Sequence, residues 1–361
     1  VFVSDDIWTR VTIRGEFMFI NNRVVIAHLL PMLVAGLWTA AANACASCGC
    51  TLSDDAAGGF APTPGFRFSL QFDNIDQTAL RSGTHSTTAA QVVDQPANPA
   101  IGGGEIEHET LNRYITLGVG YGINKDWRLD LKVPYIDRDH TTYGQQNAPY
   151  TPSESAPDQL SYGHVAGLGD IKLITTYQGL LPTRNLGLQL GIKLPTDAHG
   201  TAVNFSSGPA AGTPIDASLQ AGTGSTDLIV GTYYYQAISQ NLDVFASAQF
   251  EAAIRERLHT SGNDYRPGNS QTMSLGIRYL EDAKFFPEVQ VNLLHKSADQ
   301  GALADTSNTA GTIAYVSPGI MLHITHRLQG YGFIQLPVYS QVSGYQLFPR
   351  WTASVGLSVS Y

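Results

Sequence analysis

Cys45, Cys48 and Cys50 are the whole thiol content of the chain and fall in one short run, Cys-Ala-Ser-Cys-Gly-Cys. Three thiolates so close together can hold a soft ion such as Cu(I), or zinc if a fourth ligand comes from elsewhere, because soft metals prefer sulfur. Haem attachment is disfavoured, since Gly49 follows Cys48 where that motif needs His. In an oxidising compartment two of the thiols would instead form a disulfide with one left over. Alternatively, Cys45 would carry a lipid while the other two pair. The spacing alone leaves these readings side by side, and with them the identity of any cofactor.

Other residues able to do chemistry are dispersed. Ile101-Gly102-Gly103-Gly104-Glu105 is glycine-rich, but no Gly-Lys-Ser/Thr follows to cradle a phosphate. Gly118-Val119-Gly120-Tyr121-Gly122 has the look of a cation filter, yet it lies in an alternating segment where Gly lets neighbours approach. Among the ten His, the closest groupings are His323 with His326 and Glu105 and Glu107 with His108. Either is a weak metal candidate, because exposed loop His is commoner than ligating His. No Ser and His share a spacing that singles out a nucleophile, so no catalytic residue is assigned and an enzyme is not expected. A net charge of -9 and no basic stripe argue against a nucleic-acid partner.

The elements that must carry these residues are strands. Only 14% of the 361 residues are charged and 43% are apolar, yet mean hydropathy is near zero. That balance is unusual for a soluble enzyme, and 36 Gly, 17 Tyr and 14 Phe suit strands and turns. From Met18 the chain first reads as an export signal: Arg23, an apolar run from Val24 to Ala42, then Ala42-Asn43-Ala44 before Cys45. His28 and Pro31 interrupt the run, which disfavours a spanning helix. The expected division is 1–17 upstream of the start, 18–44 signal, 45–64 a cysteine-bearing tail and 65–361 the folded body.

Within that body, segments alternate with period two. Phe66, Phe68, Leu70 and Phe72 oppose Arg67, Ser69, Gln71 and Asp73, and Trp127, Leu129, Leu131, Val133 and Tyr135 oppose Arg128, Asp130 and Lys132. Leu186 to Leu194 and Val289 to Leu293 repeat the pattern against Lys193 and Glu288. Such strands also suit a soluble sandwich, so the connections must decide. Short links near 123–126, 181–184, 239–240, 281–284 and 325–327 alternate with long polar stretches at 76–109, 140–165 and 199–221. Short turns at one end and long loops at the other are the layout of a transmembrane antiparallel up-and-down β-barrel, with periplasmic turns and extracellular loops. The count is about twelve strands, an even number that returns both ends to one side.

The last segment is the sharpest signal. Trp351, Ala353, Val355, Leu357, Val359 and Tyr361 alternate with Thr352, Ser354, Gly356, Ser358 and Ser360, a strand suited to closing a ring against the first. Its ending resembles the signal read by the barrel-assembly machinery, an expected partner beside outer-membrane lipid and a small-molecule solute. Aromatics at segment ends, among them Phe66, Tyr121, Trp127, Tyr135, Tyr233 to Tyr235, Phe285, Phe286, Phe348 and Trp351, are expected to form interfacial girdles. Inside, Arg67, Arg128, Asp130, Lys132, Lys172, Lys193, Glu251, Arg255 and Glu288 are expected to pair across the bore or set its selectivity, leaving a narrow path.

Three stretches in the middle add a resemblance: Gly167-Leu168-Gly169-Asp170 opening a strand, Gly191-Ile192-Lys193-Leu194-Pro195-Thr196 closing the next, and Gly222-Thr223-Gly224-Ser225-Thr226-Asp227 opening the one after. In order and spacing they resemble the bacterial outer-membrane family named for the MetA pathway of phenol degradation. That resemblance implies a barrel of this size and passage of small, often aromatic or apolar, compounds, and it assigns no catalytic residues. Read on their own, the glycines and Pro195 suit strand ends, and Asp170 and Asp227 suit fixing a loop or lining the mouth. The expected function is therefore an outer-membrane channel or transporter for small molecules. Its rival is a barrel anchoring a periplasmic thiolate site for metal capture or electron transfer, and a barrel enzyme is third. The tail is expected in the periplasm.

Overall fold

Alternation of apolar and polar side chains survives folding as two faces of one antiparallel sheet. A computed structural model describes residues 64–93, 106–143, 160–196, 202–257, 262–282 and 284–361. The expected divisions at 1–17, 18–44 and most of 45–64 lie outside these residues, and so do the three cysteines. The elements are β1 (Gly65–Gly83), a two-residue β2 (His85–Ser86), a short helix α1 (Ala89–Val93), β3 (Ile106–Gly122), β4 (Trp127–Tyr143), β5 (Leu160–Leu168), β6 (Ile171–Tyr177) and β7 (Leu186–Leu194). There follow β8 (Thr226–Ala237), β9 (Leu242–Arg255), β10 (Ser270–Tyr279), β11 (Phe285–Lys296), β12 (Gly311–His323) and β13 (Leu328–Ser360).

Two of these elements are not single staves. β4 pairs with β5 above and with β6 below, so β5 and β6 are one strand interrupted at Gly169 and Asp170. β13 pairs with β12 through Gln329 to Val342 and with β1 from Val342 to Ser360. It turns back on itself at Ser343 and Gly344, where φ is +52°, and this returns Gly356 to the side of Tyr331 and Gly330 to that of Leu357. Counting the interrupted strand once, the folded one twice and leaving out β2 gives twelve staves among the described residues. The last stave meets the first in register from Arg67 opposite Ser360. Tyr361 completes the seam: its amide donates to the Phe66 carbonyl at 2.8 Å and its carbonyl accepts from the Phe66 amide at 3.2 Å. The sheet is thus closed on itself, and no spanning stave is left with an open edge.

Burial is inverted relative to a water-soluble fold. Leu190 and Leu275 are 61% exposed and Leu70 52%, whereas Asp73, Asn112, Gln290, Gln335 and Thr352 are 0% exposed. Water would not tolerate so continuous an apolar exterior; hydrocarbon requires it. No helix of the described residues is long and apolar enough to cross a membrane, and strands need not be. β7, at 9 residues, runs about 30 Å, or a little over 20 Å once tilted, close to the height of an apolar band.

Two expectations are adjusted. Strands run past the limits read from alternation, β1 to Gly83 and β4 to Tyr143, because outside the apolar band the hydrogen-bond ladder continues while the outward side chains turn polar. The girdle is narrower than expected. Phe66 and Tyr121 pack outward with tilted rings 4.7 Å apart, as do Trp127 and Tyr177 at 4.6 Å, but Tyr233, Phe286 and Phe348 point inward and are buried. Adjacent strand residues face opposite sides, so Tyr233 and Tyr234 cannot both join a girdle. Tyr233 lies flat over Gly187, where a Cβ would come within 2.2 Å of its ring, and Phe245, Phe333 and Tyr331 lie likewise over Gly276, Gly319 and Gly356.

Candidate functional site

The lumen is built one inward residue per strand at each level. At one level the register runs Ser69, Gly118, Lys132, Lys172, Lys193, Asp227 across β1, β3, β4, β6, β7 and β8. Three lysines therefore stand side by side, and like charges directly opposite repel. Carboxylates from the same level and from adjoining ones hold Lys193 and Lys172. Lys193 lies 2.6 Å from Asp227, 3.4 Å from Asp170 and 3.8 Å from Glu251, and Glu251 accepts from Lys172 at 2.6 Å. Lys193 also donates to Thr223 Oγ1 at 2.7 Å. The three glycine-rich motifs thus meet on one ammonium, with Asp170 from the first, Lys193 from the second, and Thr223 and Asp227 from the third.

Asp170 also fastens a loop. Its Oδ2 accepts from the Thr223 amide at 3.0 Å and hydroxyl at 2.9 Å. The connection between β7 and β8 folds inward here, packing Phe205, Ile215 and Leu219 against Val165. Arg138, inward on β4, donates to the Leu219 carbonyl and to Tyr114 Oη at 2.8 Å. Gln220 staples the same loop to itself through Val203 and Ile215. Between this loop and the wall lies a cavity of about 470 Å³, lined among others by Lys132, Lys172, Ile136, Ile174, Ser218, Thr223, Gln249 and Gln335. Arg138 was not singled out in the sequence, although the inward parity of β4 continues to it from Arg128.

The remaining expected residues are placed as follows. Arg128 and Asp130 form a buried pair at 2.6 Å, and Arg278 holds Glu288 at 2.8 Å. Arg67 donates to Ser358 Oγ at 3.4 Å. Arg255 is not brought to the others. A register shift in β9 pairs it with Thr226 while Ala253 pairs with Asp227, so the extra residue turns it from the inward series and leaves it exposed. His323 faces Phe286, and His108 lies 3.1 Å from Thr141 Oγ1.

The expectation of a soft metal on thiolates is corrected. Among the described residues the ligand-type side chains close enough to share an ion are Asp137, Asp139 and His164, an oxygen and imidazole set without sulfur. Cys45, Cys48 and Cys50 lie outside those residues. The Asp137, Asp139 and His164 group is moreover engaged by the protein itself. Arg113 lies 3.1 Å from Asp137 and 2.9 Å from Asp139, and Tyr162 donates to Asp139 at 2.6 Å.

A closed antiparallel ring with an apolar exterior and a polar, charged interior defines the class: a β-barrel of the outer-membrane type. Among solved structures, the chain is similar to an outer membrane channel from Pseudomonas putida F1, at a TM-score of 0.56 and 11% identity, over 83% of this chain and 96% of that one. The NanC porin aligns at a TM-score of 0.41 and 11% identity, over 81% of this chain and 100% of that chain. The CymD monoaromatic hydrocarbon channel aligns at 0.40 and 11% identity, over 83% and 89%. At such identity the first of these likenesses speaks to the fold. No protein-family model matches the chain, and no curated protein matches it in sequence.

Proposed function

We propose that this chain is an outer-membrane channel through which small molecules, apolar and aromatic ones among them, diffuse. The observation that carries the reading is the lumen itself: a closed wall around a cavity of about 470 Å³, within the range of small-molecule sites of about 300–1,000 Å³. Inward loop and side chains narrow the bore. The apolar solute class draws on the three motifs that resemble the phenol-degradation family and on the aromatic rings laid along the inner wall. In this reading 18–44 direct export, the short turns and the tail through 64 face the periplasm, and the barrel-assembly machinery reads the final strand.

Planar-bilayer recording of the refolded protein tests the channel. Discrete conductance steps and faster uptake of small aromatics into vesicles are expected, and a sealed barrel that does neither sinks the reading. An epitope placed in 144–159 should be reached by antibody on intact cells; if it is reached only after permeabilisation, the orientation is reversed.

A further inference from the structure

We propose that the lumen holds a binding patch for small uncharged polyols on β9, β10 and β11, made by Ser247, Gln249, Thr272, Ser274 and Asn292. The patch rests on the channel reading for its access to solute and adds a solute class to it. Register brings these side chains together. Thr272 is the partner of Gln249 and Ser274 that of Ser247 across β9 and β10, and Ser274 is also the partner of Asn292 across β10 and β11. All five line the cavity of about 470 Å³.

The protein leaves most of their hydrogen-bonding capacity unused. Among the described residues, the side chains of Ser247, Gln249, Thr272 and Ser274 take part in no hydrogen bond within the protein. Asn292 is held from one side only. Its Nδ2 donates to Ser317 Oγ at 2.8 Å, which fixes the amide, while its buried Oδ1 has no partner. A fixed carbonyl without a donor is a costly group, and a ligand hydroxyl would satisfy it. The charged side chains of the same cavity engage one another instead, Lys172 with Glu251 at 2.6 Å and Lys193 with Asp170 at 3.4 Å. The five patch residues carry no charge, so an ion seated on them would give up hydration without a counter-charge in return.

Hydroxyl and amide side chains both donate and accept, as does each hydroxyl of a polyol, so neighbours can match in either sense. The patch extends about 6.6 Å along a strand and about 9.6 Å across two strand spacings, roughly the footprint of a polyol of five or six carbons. A hydrocarbon lying there would displace water from the same groups and leave them unmatched. Apolar contact in this cavity comes from other strands, through Pro134 and Ile136 on β4 and Ile174 on β6.

Saturation-transfer NMR with xylitol as probe tests this on the full chain, folded in micelles of an amine-oxide detergent whose headgroup carries no hydroxyl. Xylitol should give a saturable signal. Triethylene glycol dimethyl ether, a chain of similar length whose oxygens accept but do not donate, should give none that saturates. Thr272→Val combined with Ser274→Ala removes two hydroxyls at little change in volume and should weaken xylitol binding about ten-fold, the size of two lost neutral hydrogen bonds. Thr272→Ser should bind as the parent does, with heat-modifiable gel mobility confirming a folded barrel in each. No saturable xylitol signal, equal saturation by the two probes, or undiminished xylitol binding by the double variant overturns the patch. Bilayer recording on the same preparations separates the two ideas. Saturable binding without conductance would remove the channel and leave a polyol-binding barrel; conductance without xylitol binding would remove the patch and leave the channel.

Discussion

Lys193 shows how much one residue can gather that its neighbours in sequence do not reveal. Its side chain is 7% exposed and is held by Asp227, Asp170 and Glu251. Removing one member of a buried ionic set leaves the others uncompensated, at a cost of about 3–5 kcal/mol. Lys193→Met should therefore lower the unfolding free energy of the refolded barrel by that amount, read as a lower urea midpoint. Arg113→Ala, whose side chain is 36% exposed, should cost less than about 1 kcal/mol. Equal effects would mean that the lumenal cluster is no more than a set of solvated charges. Alternation alone placed Lys193 on the inward face. What it could not supply was the meeting of three motifs, because register across strands is set by turns and by barrel stagger that no single segment encodes.

At the scale of elements, the inward loop between β7 and β8 matters most. The sequence marks this stretch as a long polar connection, and Val203, Phe205, Ile215 and Leu219 are spread along it with no strand or helix period to signal that it packs. Arg138 holds it through the Leu219 carbonyl, and Asp170 through the Thr223 amide. Arg138→Ala should free the segment while leaving the ladder of β4 intact, so single-channel recordings should show a larger, noisier open current than the parent protein. An unchanged current would mean that the loop does not limit flow. Strand ends were legible only within the apolar band. Beyond it, outward residues such as Asp137 and Asp139 look like loop, and a single extra residue near Arg255 reversed its side without leaving any mark in the apolar pattern.

For the whole molecule the fold was legible because hydrocarbon imposes strict rules: within the apolar band backbone groups are paired and the outward residues are predominantly apolar. Leu190, in the middle of β7 and 61% exposed, tests them. Leu190→Arg should destabilise the vesicle-inserted barrel by about 2–4 kcal/mol, seen as a smaller folded fraction at a given urea concentration. A neutral outcome would place this face against protein or water instead of lipid.

The seam between β1 and the second half of β13 joins residues as far apart as Arg67 and Ser360. Bringing such distant segments together carries a large loop-closure entropy before any ladder bond rewards it, so this contact should be among the slowest to form. Until it forms, the emerging chain has two raw sheet margins able to recruit copies of itself into aggregates. The hazard during biogenesis is therefore temporal: safety depends on how long the ring stays unlatched, and accessory factors that shelter those margins would act as timekeepers for assembly.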